Sequence, residues 1–436
     1  MNRHSLRATV LSILFMGFGQ LYNRQWFKGL PLAVTWAAVL IGCSSNIFAT
    51  LKGLVTLGVT PTHRQKVNGL YVTIQGDHSI FLMVQGLIAF FALLLIISVY
   101  VLNVRDAYIN GRRLEEKETI APPLHMIGSF RDKYFPFITL LFPFISILFL
   151  TVLPIIFSTL LAFTNYADPI LPPGNLINWV GFDNFFNLVQ LKSWSSTFVG
   201  VLIWTIVWAV IATFSCYFGG MFVAMLIHQP FVRFKKMWRA ILIVPIAIPT
   251  LVSLLMMRNL FNNKFGPINE YLKMLGMNGL PWLTDPFWAK VTVLLVNLWI
   301  GIPVSMILIS GILVTIPRDL YEAAEIDGAR PRQKFRHITL PLVLFSTTPI
   351  IIMQFANNIN NFNMIYLLTN GGPVNPNYQY AGDTDLLVTW LYKLTLSNQQ
   401  YNLASVIGII IFVIIASLSI FYYRRTRSYN EEDMIG

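Results

Sequence analysis

Residues 289–341 read AKVTVLLVNLWIGIPVSMILISGILVTIPRDLYEAAEIDGARPRQKFRHITLP, and this stretch decides the fold. Its first part, residues 289–313, is a continuous apolar run with a single charge, Lys290, at one edge. An α-helix needs about 20 apolar residues to cross the hydrocarbon core of a bilayer. This run therefore predicts a transmembrane helix, and the charged residues that follow it predict a loop in water.

Apolar runs of similar length recur along the chain. Seven more are found, at 32–50, 80–103, 136–163, 197–227, 240–261, 346–368 and 403–423. Residues 8–22 are too short for a span and are interrupted by glycine, so we interpret them as an interfacial or re-entrant piece. Of all residues 55% are hydrophobic and 11% are charged, against about 25% charged in soluble domains. The pattern predicts an all-α integral membrane protein with about eight transmembrane helices.

The distribution of Lys and Arg predicts the orientation of these spans. With the N-terminus in the cytoplasm, the inside segments carry 22 cations and the outside segments carry 7. Cytoplasmic loops of membrane proteins are enriched in Lys and Arg, so both termini are expected in the cytoplasm, with the chain in the plasma membrane. The net charge of +12 sits in short clusters between apolar runs, which indicates a membrane lipid environment and no nucleic-acid partner.

One compositional boundary divides the chain. Residues 104–134 are charged and separate two leading spans from six later ones. We therefore expect an N-terminal part, 1–134, with the basic segment, two helices and a cytoplasmic linker. The remainder, 135–436, is expected to form a six-helix core.

The charged loop of residues 316–341 has its own helical pattern. Asp319 can cap a helix, and Glu322 three residues later completes a capping-box arrangement. Gly328 supplies a left-handed stop, Pro331 suits the first turn of a second helix, and Pro341 is expected to interrupt the path into the seventh span. The prediction is two short helices at an angle, a shape that any helix–turn–helix connector could also have.

The spacing of this loop nevertheless resembles a family signature. Glu322-Ala-Ala, Gly328 and then Ile338-x-Leu-Pro341 is similar to the EAA loop of permease subunits in binding-protein-dependent ABC importers. The resemblance implies the type I permease fold of ABC importers, with a loop that docks on a cytoplasmic ATPase and with Glu322 and Gly328 at the centre. The coupling residues are then Glu322, Ala323, Ala324, Gly328, Ile338, Leu340 and Pro341.

Three other segments, 180–185, 245–249 and 367–373, look like the larger permease of maltose/maltodextrin importers, and the likeness covers about residues 136–436. The segment 17–29 resembles the Gram-positive form. Implied partners are a second permease subunit, two copies of the ATPase and an extracellular sugar-binding lipoprotein. The outside segment 164–196 is short, whereas some members of the family carry a folded domain there. Residues 371–373 and 385–392 are candidates for contact with the binding protein.

Polar residues in the spans indicate a site within the membrane. Thr250, Asn297 and Asn358 come from three spans and lie at about the same depth, near the midplane, at about 1.5 Å per helical residue, where transporters tend to bind substrate. The candidate pathway residues are Thr250, Asn297, Trp299, Gly301, Asn357 and Asn358. Four of them, Thr250, Asn297, Trp299 and Asn358, align with sugar-lining positions of the maltose permease family. Asn residues here could instead join helices by hydrogen bonds.

Several motifs are missing from the sequence. It has no G-x-x-x-x-G-K-[ST] phosphate loop, so we expect ATP hydrolysis on a separate subunit and no enzymatic activity here. The histidines have no metal-ligand spacing, and no cofactor is expected. Asp and Glu avoid the span interiors, which favours a neutral substrate. A maltodextrin is the first hypothesis, another neutral oligosaccharide or polyol of the raffinose type is the second, and an ion-coupled secondary transporter is a third from a different class.

Overall fold

The computed structural model describes residues 3–43, 47–67, 70–116, 135–136 and 139–424. Contacts between residues group the chain into two compact units, Met1–Gly181 and Phe182–Gly436. The proposed boundary between 134 and 135 follows a charged linker whose last part, 117–134, lies outside the described residues, and this boundary stays a prediction.

The first unit is helical apart from one small hairpin. Its elements are α1 (Arg3–Leu14), α2 (Phe18–Tyr22), α3 (Trp26–Cys43), α4 (Ile47–Thr56), β1 (His63–Val67), β2 (Leu70–Ile74), α5 (Ser79–Glu115) and α6 (Thr139–Leu161). The strands β1 and β2 pair antiparallel, with His63 opposite Ile74. Residues 8–22 are indeed interrupted, because Gly17 has a φ of 91° between α1 and α2. Their interfacial position remains a prediction.

The second unit contains eleven helices in its described residues. They are α7 (Asp183–Gln190), α8 (Lys192–His228), α9 (Lys235–Ala247), α10 (Thr250–Leu260), α11 (Pro267–Met274), α12 (Pro286–Thr315), α13 (Arg318–Ile326), α14 (Pro331–Ile359), α15 (Phe362–Leu368), α16 (Leu387–Tyr392) and α17 (Tyr401–Tyr423). Every third or fourth residue of α8 is buried, from Thr197 to Ile227. The helix α8 is therefore the centre against which α12 and α14 pack.

The expected number of spans agrees with the structure. In the described residues α5, α6, α8, α12, α14 and α17 are long and apolar enough to cross a membrane. Two bent pairs, α3 with α4 and α9 with α10, raise the number to eight if each pair is one span. The second pair bends by 92° at Pro249, the N-cap of α10, since proline cannot donate the hydrogen bond that would continue α9.

The prediction for the seventh span is wrong at both ends. Pro341 does not interrupt the helix, because residues Phe335–Thr339 form one wide π turn that carries the backbone past a residue without an N–H. The helix α14 therefore starts at Pro331. It ends at Ile359 rather than at residue 368, and the Asn361 side chain accepts a hydrogen bond from the Met364 backbone N–H at the start of α15.

The predicted cap of the first loop helix is also wrong. The helix α13 begins at Arg318, and its N-cap is Pro317, with ψ at 133° and no side-chain cap. Asp319 is already in the first helical turn, so Asp319 and Glu322 do not form a capping box. A carboxylate in this turn is still stabilised by the positive end of the helix dipole.

Candidate functional site

The turn between α13 and α14 has the geometry that Gly328 predicts. Gly328 has a φ of +75°, and a Cβ added there would meet no atom within 4 Å. The backbone N–H of Ala329 donates to the Ala324 carbonyl at 2.8 Å, and that of Gly328 donates to the Glu325 carbonyl at 3.0 Å. These two bonds make a Schellman motif. Glycine is thus required here by the backbone angle and not by crowding.

One side of the loop is anchored to the inner end of the second unit. Tyr321, Phe335, Ile338 and Leu340 pack against a buried cluster formed by α8, α12 and α14. Two of these, Ile338 and Leu340, belong to the predicted coupling set, and their role in the fold is to hold the loop on the membrane helices. Pro341 is exposed beside them.

The opposite side of α13 faces solvent. Glu322 and Ala323 are exposed, Ala324 is half-buried, and the apolar side chains of Leu320 and Ile326 are 44% and 88% exposed. A short helix that exposes apolar side chains beside a carboxylate is typical of a docking surface. The predicted coupling residues therefore divide into an anchored group and an exposed group.

Two side-chain contacts join α13 to α14. The Tyr321 hydroxyl lies 2.9 Å from Thr339 Oγ1, within the π turn, and Lys334 Nζ donates to Glu325 Oε1 at 2.5 Å. Thr339 is buried, whereas Glu325 is 65% exposed. Because exposed ion pairs contribute little, the Tyr321–Thr339 contact is the firmer link between the loop helix and the span.

In the membrane part, Asn297 of α12 contacts α8. Its amide donates to Cys216 Sγ at 3.2 Å, and the Cys216 thiol lies 3.6 Å from the Asn297 carbonyl oxygen. Gly301 lies one turn further along α12, where a Cβ would come within 2.5 Å of Cys216 Sγ. Both residues therefore support the close packing of α12 on α8.

Asn358 of α14 contacts the same helix. Its side-chain amide donates to Thr213 Oγ1 at 2.9 Å, and its backbone carbonyl oxygen accepts from Trp208 Nε1 at 3.0 Å. Thr213 precedes Cys216 by three residues, which is about one helical turn. The structure thus brings Asn297 and Asn358 to neighbouring levels of α8, in the way that interhelical hydrogen bonds join membrane helices.

The other three predicted pathway residues lie elsewhere. Thr250 is exposed at the bend between α9 and α10, Asn357 is exposed, and Trp299 is half-buried. Trp299 follows Asn297 by two residues, about 200° around the helix, so the two side chains lie on different faces. Among the described contacts, no hydrogen bond or ring contact joins Thr250, Trp299 and Asn357.

The sequence interpretation missed the polar residues of α8. Three of these residues contact the neighbouring helices α12 and α14: Thr213, Cys216 and Tyr217. The Tyr217 hydroxyl lies 2.6 Å from Thr347 Oγ1. The signal was present, because polar residues in the run 197–227 recur with a helical period on what is the buried face. A polar group inside a span needs a partner. The polar residues that recur along α8 therefore indicated that this helix supplies the partners.

The segment that follows α15 is folded into the core. Leu386, Leu387 and Trp390 are fully buried, so the prediction that residues 385–392 contact a binding protein is wrong for these side chains. Asp385 is also buried and accepts from Lys393 Nζ at 2.6 Å. Burial raises the pKa of the Asp385 carboxyl, and the Lys393 ammonium partly opposes this rise. Val374, just past the Gly-Gly-Pro turn, is 86% exposed.

Two further features of the described residues bear on other kinds of site. No cluster of three or more His, Cys, Asp or Glu side chains able to hold a metal ion occurs in the described residues. A groove between α8, α14 and α17 is lined mainly by apolar side chains, among them Phe214, Ile352 and Leu418. It includes none of the predicted pathway residues, so we do not assign it to a sugar.

Known proteins similar to the chain are membrane components of importers. A family described as "Binding-protein-dependent transport system inner membrane component" matches residues 217–428. The galactooligosaccharides transport system permease protein GanP of Bacillus subtilis (strain 168) is 38% identical, over 99% of this chain and 100% of the relative. The maltodextrin transport system permease protein MdxF of the same organism is 34% identical, over 100% of both chains. The predicted family resemblance and the assignment as a permease rather than an ATPase are confirmed.

A solved structure shares the fold. A chain from the crystal structure of a bacterial ABC transporter involved in the import of the acidic polysaccharide alginate has a TM-score of 0.57. The alignment covers 70% of this chain and 99% of that chain, at 21% identity. This confirms the predicted permease fold and, at that identity, carries no information about the substrate.

Proposed function

The chain belongs to the family of binding-protein-dependent transport system inner membrane components, and on that premise we propose that it is the permease subunit of an ATP-driven importer for maltodextrin or maltose. It pairs with a second permease, two copies of a cytoplasmic ABC ATPase and an extracellular sugar-binding lipoprotein. Both termini lie in the cytoplasm. The observation that carries the proposal is the loop at residues 316–341, anchored on one side and exposed on the other.

The loop geometry suits the transmission of force. The helix α13 shows Glu322 and Ala323 to solvent, while the contact of Tyr321 with Thr339 ties it to α14. Since α14 continues without a break from Pro331 to Ile359, a displacement of α13 by the ATPase is passed along a continuous helix to Asn358. Closure of the ATPases upon ATP binding then changes the packing of the spans around α8.

The pathway for sugar runs near the middle of the membrane. We assign Thr250, Trp299 and Asn357 to its wall, because their side chains remain available in part to solvent or ligand. Asn297, Gly301 and Asn358 set the spacing of the helices around it through Cys216 and Thr213. An indole ring can stack on a pyranose while amides bind hydroxyls, as a neutral sugar requires.

The proposal includes a division of the chain into two parts. We propose that residues 135–436 form the translocating core and that 1–134 form an additional membrane segment joined by a cytoplasmic linker. In the latter, Gln20 donates to the Asn103 carbonyl at 2.9 Å and Lys28 lies 3.3 Å from Asp106. These contacts hold α2 and the start of α3 along α5, so the N-terminal segment is a fixed part of its unit.

Charge reversal at Glu322 tests the proposal. The Glu322→Lys variant is expected to lose copurification of the ATPase and ATP-driven uptake of maltotriose in membrane vesicles, because an exposed carboxylate in a docked interface becomes a cation. The matched control is Glu270→Lys, an exposed glutamate on α11, which is expected to keep both. Normal assembly and uptake in Glu322→Lys would refute the docking role.

A second substrate class has support from the relatives. GanP, named for galactooligosaccharides, is 38% identical over nearly the whole chain, as against 34% for MdxF. The alternative is therefore an importer of the same kind for another neutral oligosaccharide. Competition of labelled maltotriose uptake by galactooligosaccharide or by raffinose decides between them.

A further inference from the structure

Three aromatic rings meet at the junction of α15 and α16, and we call Phe362, Tyr366 and Tyr392 the aromatic platform. The rings of Phe362 and Tyr366 are stacked, with centroids 4.9 Å apart. Tyr392 lies 4.8 Å from Phe362 and 5.0 Å from Tyr366, at steep angles to both. Each ring thus contacts the other two.

The platform lies on the side of α15 away from the core. Met364, Ile365 and Leu368 are buried against α8, α10 and α12, whereas Phe362 and Tyr366 are half-buried on another face. Tyr392 is also half-buried. Each ring is therefore partly buried and partly accessible, as a stacking surface for a ligand requires.

The support behind Tyr392 is rigid. Lys393, the next residue, pairs with buried Asp385, and Trp390 is buried with its indole N–H donating to the Gln379 carbonyl at 2.9 Å. A ring that is held in position before binding loses less conformational entropy when a ligand stacks on it. The ion pair thus serves to position the platform.

The surroundings of the platform are polar without net charge. The helix α15 has no ionisable side chain other than Tyr366, and the exposed amides of Asn360 and Asn363 flank Phe362 in sequence. The nearest cation along the chain, Lys393, is neutralised by Asp385. Ring faces with amides and hydroxyls at their edges suit a neutral molecule that has apolar faces and hydroxyl rims, which describes a pyranose.

The platform is also close to the proposed pathway. Phe362 follows Asn358 by four residues, so the two lie within about 14 Å of each other at full extension. Among the predicted pathway residues only Trp299 carries an aromatic ring. We propose that the aromatic platform binds one pyranose ring of the transported neutral oligosaccharide by stacking, as a subsite next to the mid-membrane amides. This proposal rests on the proposed function.

The test uses the complete importer in proteoliposomes with saturating sugar-loaded binding protein, so that sugar capture does not limit uptake. Maltose, maltotriose and maltohexaose are the probes, and uptake per ATP hydrolysed is measured. Phe362→Leu and Tyr392→Leu are expected to lower the ratio of maltotriose to maltose uptake about two- to tenfold, the effect of losing one aromatic contact. Phe218→Leu, in a stacked pair with Phe214 on α8, is the control and is expected to keep the wild-type ratio.

A conservative variant keeps the test decisive if a Leu variant fails to assemble. The double change Tyr366→Phe and Tyr392→Phe retains the rings, and loss of two hydroxyls is expected to lower the same ratio about twofold or more. Wild-type ratios in this variant and in the Leu variants would overturn the platform. So would an equal loss for all three sugars, which indicates a structural or protein-docking role. If the wild-type importer accumulates none of the probes, the proposed function fails first.

Discussion

The hydroxyl of Tyr321 lies 2.9 Å from Thr339 Oγ1 and joins the exposed helix α13 to the π turn of α14. Thr339 is buried and Tyr321 is half-buried, so the contact is sheltered from competing water. The π turn has wider hydrogen bonding than the rest of α14 and is a place where a helix can change register. Force applied to α13 therefore reaches α14 at this π turn.

Removal of this hydroxyl should loosen the coupling between ATP hydrolysis and transport. In Tyr321→Phe the ring still packs, but Thr339 loses a hydrogen bond worth about 1 kcal/mol. We expect the number of ATP molecules hydrolysed per sugar imported to rise about two- to fivefold, with normal assembly. Parallel assays of ATPase activity and sugar uptake in proteoliposomes provide the ratio.

The control for this change is Tyr271→Phe, because Tyr271 is 66% exposed on α11. It should leave the ratio of ATP to sugar unchanged. An unaltered ratio in Tyr321→Phe as well would mean that the link to α14 runs through other contacts, such as Lys334 with Glu325.

Gly328 and Gly276 offer a matched pair for the docking role. Each has a φ of +75° and open space where a Cβ would lie, so alanine at either position should cost about 1–2 kcal/mol of backbone strain. We expect Gly328→Ala to reduce copurification of the ATPase and sugar uptake severalfold. Gly276→Ala, in the segment predicted to be outside, should lower the melting temperature similarly but keep both functions. Equal behaviour of the two variants would reduce Gly328 to a structural role.

Two adjacent asparagines in α14 allow a test that distinguishes a role in the sugar pathway from a role in helix packing. Asn357 is exposed, whereas Asn358 bonds Thr213 and Trp208. We expect Asn357→Ala to lower sugar uptake with little change in thermal stability. Asn358→Ala should destabilise the chain by about 1–3 kcal/mol, because Thr213 is left buried without that partner. Uptake and melting temperature, measured on both variants, test the assignment, and a stability loss confined to Asn357→Ala would reverse it.

Local features of the loop could be predicted from the sequence, whereas distant contacts could not. The stop at Gly328 follows from one residue type at the end of one helix, and its φ of +75° agrees. The cap at Asp319 failed, because Pro317 fixes an extended backbone and starts the helix two residues earlier than the pattern suggests. A local sequence rule predicts that a helix forms here. Its first residue also depends on the backbone geometry of the residues that precede the helix.

The mid-membrane residues show why contacts between distant parts of the chain could not be predicted. Constant helical rise predicts Asn297 and Asn358 at similar depths, and both contact α8 about one turn apart. Their hydrogen-bond partners, Cys216 and Thr213, lie 81 and 145 residues away in sequence. Which face of a span meets which neighbour depends on tertiary packing, so the sequence could not separate an amide that joins helices from one that lines a pathway.

The orientation of the chain can be checked by labelling. Thr73 of the hairpin and Arg332 at the start of α14 are both exposed, and the Lys and Arg counts put them on opposite sides of the membrane. In intact cells, Thr73→Cys should react with a membrane-impermeant maleimide, and Arg332→Cys should react only after the membrane is opened. The unmodified chain gives the background from its own cysteines. The reverse pattern would invert the topology and remove the loop from the reach of an ATPase.

The buried pair of Asp385 and Lys393 predicts a pH-dependent defect. Burial raises the pKa of Asp385, and the Lys393 ammonium 2.6 Å away limits the rise. A carboxyl whose pKa is raised in the folded state contributes most to stability at a pH below its ordinary pKa of 3.8. This contribution is lost as pH rises through the pKa of the folded state. In Lys393→Met the carboxylate loses its cation, so we expect a loss of about 3–5 kcal/mol at neutral pH. The loss should shrink as pH is lowered and Asp385 takes up a proton.

The neutral double variant separates charge from packing in this pair. Asp385→Asn combined with Lys393→Met removes both charges while the Gly382 backbone N–H keeps an acceptor at residue 385, so we expect much of the stability lost in Lys393→Met to return. Its melting temperature should change little between about pH 5 and neutral pH. If Lys393→Met melts at the same temperature across this range, or if the double variant is no more stable than the single one, then the buried carboxylate is not the cause. The stabilising role of the pair behind Tyr392 would then have to be assigned to packing of the Lys393 side chain alone.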